Sequence, residues 1–165
     1  PLSALMLPDT RAAGLVALAA GLAQLLRQSR WGFGYAITRP ILAALHVSAA
    51  LVGGGLVLTG LVPFTGLSEV AALHLLAIGG VAGMTLAVMS RATLGHTGRP
   101  LVAPLPVAFA YALLPVAALL RWLGSELSGA VYFPAILAAG LLWILAFGLY
   151  AGALLPAFLE PRVDR

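Results

Sequence analysis

Five long apolar runs, separated by short segments that hold most of the charge, dominate this sequence. The 165 residues include only nine basic and five acidic side chains, or 8% charged residues, whereas a soluble domain usually has about 25%. With 62% hydrophobic residues and a mean hydropathy of +1.07, the chain has too little polar surface to cover a water-facing globule. Each run is close to the ~20 residues that a bilayer-spanning helix needs. The pattern predicts an all-α, polytopic membrane helix bundle with about five transmembrane helices.

The predicted spans lie at about residues 10–26, 40–62, 68–90, 101–122 and 129–155. Prolines mark several of their ends: Pro40 suits the first turn of the second span, and Pro63 and Pro156 are expected to end the second and fifth. We expect residues 1–165 to form a single transmembrane bundle. Because the chain begins with Pro1 and has an odd number of predicted spans, we also expect it to be the C-terminal part of a longer protein.

The distribution of arginines predicts the orientation of the bundle. Seven arginines fall on one side of the predicted spans: Arg27, Arg30, Arg39, Arg91, Arg99, Arg162 and Arg165. Arg11 and Arg121 fall on the other side. The positive-inside rule places the larger group in the cytoplasm, with the N-terminus outside and the C-terminus inside. The net charge of +4 is therefore a topology signal, and we do not expect nucleic-acid binding.

The residue types exclude several kinds of chemistry. The chain has no cysteine, so disulfides, thiolate metal sites and cysteine nucleophiles are excluded. It has no lysine, which excludes a Schiff base and a phosphate-binding loop of the lysine type. No pair of acids lies within a predicted span, so a carboxylate proton relay is not expected.

Three histidines are the best candidates for a functional site: His46, His74 and His96. An imidazole within a membrane span is costly and usually has a partner or a cofactor. Neutral imidazole is also a common ligand of haem iron and of copper. The alternative for His46 and His74 is a buried ring that bonds a backbone carbonyl or lines a water pocket. For His96, the alternative is a solvated loop residue in the turn after the third span.

Helix geometry limits which histidines can share one metal ion. If the second and third spans form an antiparallel hairpin, residues at equal depth have numbers that add to roughly 131. His46 is then level with about Thr85, and His74 lies roughly 16 Å further along the axis at 1.5 Å per residue. We therefore predict two separate sites, one near each membrane face. His96 is on the same half as His46 and could join it if the turn at Gly95–Pro100 folds back toward the bilayer.

Two further features each allow two interpretations. Arg91 and Arg99 could pair with an anionic cofactor group, such as the propionates of a haem, or could serve topology and lipid phosphate binding. Small residues beside His46, such as Gly53 and Gly60, could leave room for a flat macrocycle or allow close helix packing.

The stretch from His74 to Leu101 resembles the signature region of the NnrS family. The resemblance is carried by His74, Gly79, Met84, Met89, Arg91 and the run Leu94-Gly95-His96-Thr97-Gly98-Arg99-Pro100-Leu101. Arg39-Pro40, Leu45-His46 and the ending Pro161-Arg162-Val163-Asp164 are also similar to the family pattern.

This resemblance implies a bacterial inner-membrane protein of about twelve spans that contains haem and copper. It implies a role in nitric oxide metabolism and nitrosative-stress defence, with His46, His74 and His96 at histidine positions of the family. The implied partners are the lipid bilayer, nitric oxide and the N-terminal helices of the same protein. Two other functions are compatible with the residues alone: a transporter or permease fragment for a small solute or metal, and a sensor or structural subunit without catalysis.

Overall fold

The structure, a computed structural model, describes residues 10–127 and 129–163, and every regular element in these ranges is a helix. In chain order the helices are α1 (Arg11–Ser29), α2 (Phe33–Ala36), α3 (Pro40–Thr65), α4 (Glu69–His96), α5 (Leu105–Leu127) and α6 (Gly129–Leu159). The centre of α4 is a π-helical segment at Leu75–Ala82. The predicted all-α bundle is confirmed.

Within the described ranges, four helices are long and apolar enough to cross a membrane, namely α3, α4, α5 and α6. Helix α1 covers the first predicted span and packs along α3, but it is not one of these four. Its nineteen residues include Arg11, Gln24, Arg27 and Gln28, which lower its hydropathy. The bundle thus has five long helices, of which four are apolar enough to span.

Several helices extend past the residues where the sequence predicted their ends. Pro63 and Pro156 lie inside α3 and α6, each within the last turns of its helix. A proline there removes only one hydrogen bond, so the helix continues. Helix α3 ends instead at Gly66, which has a φ of 71°. Helix α4 continues to His96, so the turn that follows it starts one residue after the histidine.

Helix α1 packs antiparallel to α3 through glycines on both helices. Gly14 lies against Gly60, and Gly21 lies against Gly53. A Cβ at Gly21 would be 2.7 Å from the Gly53 carbonyl oxygen and 2.7 Å from the Val57 nitrogen, both of which belong to the backbone. The small residues of the second span therefore serve close helix packing.

Helix α4 packs antiparallel to α3 on another side. Gly83 lies against Ser48, and Gly55 lies against Leu76. These contacts match the register predicted for the hairpin, which places His46 level with about Thr85. His74 consequently lies in the opposite half of the bundle from His46.

The two ends of the bundle differ in charge, as the sequence predicted. Because successive long helices run antiparallel, Arg27, Arg30, Arg39, Arg91, Arg99 and Arg162 lie at one end. Arg11 and Arg121 lie at the other end, where the backbone N–H of Ser68 donates to Glu126 Oε1 at 3.1 Å. Arg165 is outside the described residues. The assignment of the arginine-rich end to the cytoplasm stays a prediction.

Candidate metal-binding histidines

His46 lies in the second turn of α3 and presents one ring nitrogen without a partner. Its Nδ1 is 2.8 Å from the Leu42 carbonyl oxygen one turn earlier. Because a carbonyl oxygen only accepts, Nδ1 must carry the hydrogen, and in the neutral ring Nε2 then has a free lone pair. This Nε2 is buried and has no hydrogen-bond partner in the described part of the chain. Metal-ligating histidines almost always have their other ring nitrogen bonded in this way.

The segment between α1 and α3 folds over the His46 ring. Trp31 and Phe33 meet the imidazole edge to face, with ring centroids 5.4 Å and 6.1 Å away. Together with α1 they line a cavity of about 260 Å³, whose walls are Leu25, Gln28, Ser29, Trp31, Phe33, His46 and Ala50. The walls are mostly apolar or aromatic, as is usual for small-ligand sites.

Gln28 provides a second unsatisfied acceptor in the same cavity. Its amide Nε2 donates to the backbone carbonyl of His46 at 2.6 Å, which fixes the orientation of the amide. Its Oε1 is buried and, like the His46 Nε2, has no partner among the residues described. His46 and Gln28, which line the same cavity, thus each have one buried acceptor without a partner.

His74 repeats the ring geometry of His46 at the other end of the bundle. Its Nδ1 is 2.6 Å from the Val70 carbonyl oxygen, so its Nε2 is again the open nitrogen. The residue is half-buried. The π-helical segment Leu75–Ala82 begins immediately after it. Single π turns inside α-helices occur frequently at functional sites.

His96 and Arg91 lie at the arginine-rich end of α4, and both are exposed. His96 is the last residue of the helix, because the chain turns at Thr97. The structure describes no contact between His96 and His46. The expectation that the two share a metal therefore gains no support from their positions.

Arg99 is used to bind the C-terminal segment. Its Nη2 donates to Glu160 Oε2 at 2.6 Å and to the Pro156 carbonyl oxygen at 3.4 Å. Its Nη1 is buried and has no hydrogen-bond partner in the described ranges. The backbone N–H of Val163 also donates to the Thr97 carbonyl oxygen at 3.0 Å. We name this set of contacts between residues 97–99 and 156–163 the tail clasp.

The described residues include no group of three or more histidines or acids that could hold a metal ion. Each histidine can therefore offer one imidazole ligand, and a complete site needs further donors. A single imidazole fits the axial ligand of a haem, and it fits one of the several ligands that copper requires. The separation of His46 from His74 agrees with two sites.

Sequence reasoning missed Gln28, Trp31 and Phe33 as neighbours of His46. Gln28 could have been noticed in the sequence as a carboxamide near the end of a largely apolar helix. That it bonds to His46 could not be predicted without knowing the register between α1 and α3.

A family model described as "NnrS protein" matches residues 1–162. No curated protein and no solved structure matches the chain.

Proposed function

Because this chain belongs to the NnrS family, we propose that it is a haem- and copper-binding membrane bundle that acts in nitric oxide metabolism or nitrosative-stress protection. The open Nε2 of His46 is the observation that carries this proposal. A buried imidazole nitrogen without a partner is costly unless something binds it, and its ring is already held in the tautomer that a metal ligand needs.

The chain's own residues have distinct roles around His46. The Leu42 carbonyl holds the proton on Nδ1 and fixes the ring. Trp31 and Phe33 pack edge to face against the ring and hold it in place. Gln28 links α1 to the His46 backbone and offers its carbonyl oxygen to the cavity. A haem iron or a copper ion with an open coordination position would supply the binding of nitric oxide.

His74 is the proposed ligand of a second, separate centre. Its position in the opposite half of the bundle and its own Nδ1 hydrogen bond support a ligand that acts independently of His46. His96 and Arg91 are exposed at the arginine-rich end, where they can complete a site with groups from elsewhere in the protein. Arg99 has one guanidinium nitrogen, Nη1, without a partner, and this donor could pair with a haem propionate or another carboxylate.

The test is made on the purified protein. Reduced-minus-oxidised optical spectra and elemental analysis are compared for the native protein, His46→Ala, His74→Ala and His96→Ala. We expect a haem band and copper in the native protein, and we expect His46→Ala and His74→Ala to remove different metals. Circular dichroism and the unfolding midpoint separate the loss of a metal from the loss of the fold.

A protein spectrum without a haem band, together with no copper, would contradict the proposal and favour a transporter or a sensor subunit. If one substitution removed both metals from a folded protein, the two-site arrangement would be wrong.

A further inference from the structure

The stretch from the last turns of α1 to the start of α3, residues 26–39, combines arginines with exposed apolar side chains. Its three arginines are all exposed: Arg27, Arg30 and Arg39. Its large apolar side chains that reach the surface are between 56% and 69% exposed, and they are Leu26, Phe33, Tyr35 and Ile37. We name residues 26–39 the basic-aromatic segment. It lies at the arginine-rich end of the bundle, where α3 begins.

The arginines of this segment have no acidic partner in the described ranges. The ion pair at this end of the bundle joins Arg99 to Glu160. Glu69 and Glu126 lie at the opposite end. The segment therefore carries three positive charges that no described acid offsets, and such a patch attracts anions from outside the protein.

Two of the guanidinium groups lie over aromatic rings of the same segment. The guanidinium carbon of Arg27 is 5.5 Å from the centroid of the Trp31 ring, and that of Arg39 is 4.5 Å from the centroid of the Tyr35 ring. A cation–π contact uses the face of a guanidinium, whereas hydrogen bonds to a phosphate use its edge. Arg27 donates from Nη2 to Gln24 Oε1 at 2.7 Å, which leaves its other N–H groups available to an anion.

Arg27 and Arg30 line one cavity at the surface of the bundle. The cavity measures about 430 Å³, and its other walls are Leu26 and Ser29. Ser29 Oγ donates to the Leu26 carbonyl oxygen at 2.8 Å, so the two arginines are the side-chain donors that the cavity offers to an anion. The Arg30 guanidinium makes no hydrogen bond or ion pair with a described residue. Two guanidinium groups on one cavity suit the several oxygens of a phosphate group.

We propose that the basic-aromatic segment binds an anionic phospholipid, with the lipid phosphate between Arg27 and Arg30 and the acyl chains against the exposed apolar side chains. The exposure of Leu26, Phe33 and Ile37 favours a lipid over free phosphate, because a soluble anion gains nothing from apolar surface. Segments that combine basic residues with aromatic and aliphatic ones bind at the headgroup level of anionic bilayers.

The lipid site is separate from the His46 cavity. The two cavities share one lining residue, Ser29. Arg27 and Arg30 are not among the walls of the His46 cavity. Substitutions at these arginines therefore test the lipid site without removing the proposed metal ligand.

The experiment titrates the purified protein in detergent with phosphatidylglycerol and measures the dissociation constant by native mass spectrometry. A basic residue near an anionic headgroup contributes about fivefold to binding, so Arg30→Gln should weaken it about fivefold and the double variant Arg27→Gln/Arg30→Gln about 25-fold. Arg30→Lys keeps the charge and should retain most of the affinity. Arg11→Gln is the matched control, because Arg11 is an exposed arginine at the opposite end of the same helix.

Three results would overturn the proposal. If Arg11→Gln weakened binding as much as Arg30→Gln, net charge and not this site would attract the lipid. If phosphatidylcholine, whose headgroup has no net charge, bound as tightly as phosphatidylglycerol, the arginines would not select an anionic lipid. If inorganic phosphate at equal concentration displaced the phosphatidylglycerol, the site would be one for a free anion.

The unfolding midpoint without added lipid separates a loss of binding from a loss of the fold. We expect the same midpoint for Arg30→Gln and the native protein, because the Arg30 guanidinium has no hydrogen bond or ion pair to lose within the described ranges. Weaker lipid binding at an unchanged midpoint is the result that supports the site. Unchanged binding of phosphatidylglycerol by the folded double variant would refute it.

Discussion

The side-chain amide of Gln28 on α1 donates to the backbone carbonyl of His46 on α3, with 2.6 Å between nitrogen and oxygen. This bond joins the least apolar long helix of the bundle to the residue that offers the open imidazole nitrogen. Gln28 and the imidazole also line the same cavity. Helix α1 is thus part of the candidate site, although it is not one of the four membrane-spanning candidates.

Gln28→Leu is expected to destabilise the α1–α3 contact. The substitution removes one partly buried hydrogen bond, which contributes about 1 kcal/mol, and it should lower the unfolding midpoint by about 2–4 °C. Gln24→Leu is the matched control, because Gln24 only accepts from exposed Arg27 on its own helix. Equal midpoints for the two variants would show that the bond to His46 does not stabilise the bundle.

Gly21→Val is expected to push α1 away from α3. Its side chain would meet backbone atoms of α3 that cannot move aside, and overpacking of this kind costs about 1–3 kcal/mol. Gly54→Val is the control on the facing helix, since a Cβ at Gly54 meets nothing within 4 Å. The two variants are compared by their unfolding midpoints in detergent. If Gly54→Val lowered the unfolding midpoint as much as Gly21→Val, the close contact of Gly21 with α3 would be contradicted.

Gly98→Ala is expected to open the tail clasp. Gly98 has a φ of 72°, and an alanine Cβ there would collide with the Val163 carbonyl. The strained conformation alone costs about 1–2 kcal/mol. Limited trypsin digestion after Arg162 should become faster than in the native protein. Gly95→Ala is the control on the other side of His96, because its Cβ would be 3.6 Å from Leu101, an ordinary contact. Unchanged digestion of Gly98→Ala would argue against the clasp.

Glu160→Gln is expected to have a much smaller effect than Gly98→Ala. The Arg99–Glu160 ion pair is 2.6 Å long, but the glutamate side chain is 61% exposed, so solvent screens the attraction. Surface pairs of this kind contribute about 0–1 kcal/mol. The change in unfolding midpoint should stay below about 3 °C. A larger drop in the unfolding midpoint would mean that the Arg99–Glu160 pair is shielded from water in the membrane.

The three histidines are expected to react with diethyl pyrocarbonate at different rates. His96 is exposed and should be modified first, whereas the Nε2 of His46 is buried and should react last. Trp31→Ala removes one wall of the His46 cavity and should accelerate its modification selectively. Mass spectrometry of the digested protein measures each rate. If His46 reacts as fast as His96 in the native protein, the cavity is open to water.

The predicted register of the α3–α4 hairpin shows how much the sequence can determine. Two apolar runs joined by a short turn must lie antiparallel, so the depths of His46 and His74 follow from counting residues. The contact between Gly83 and Ser48 confirms that count. The helix ends were harder to predict, because a proline in the last turn costs one hydrogen bond and does not stop the helix.

The membrane bundle, the grouping of arginines at one end and the separation of His46 from His74 all follow from the amino-acid sequence, because hydropathy and helix length are local properties of the chain. Packing in three dimensions sets the bond from Gln28 to His46 and the ion pair of Arg99 with Glu160. It also brings Thr93 on α4 and Tyr150 on α6 into one hydrogen bond, with 3.3 Å between their oxygens. Those three facts depend on how each helix is rotated about its axis. Helix rotation is set by packing between residues far apart in the sequence, which an apolar stretch of nearly uniform hydropathy does not specify.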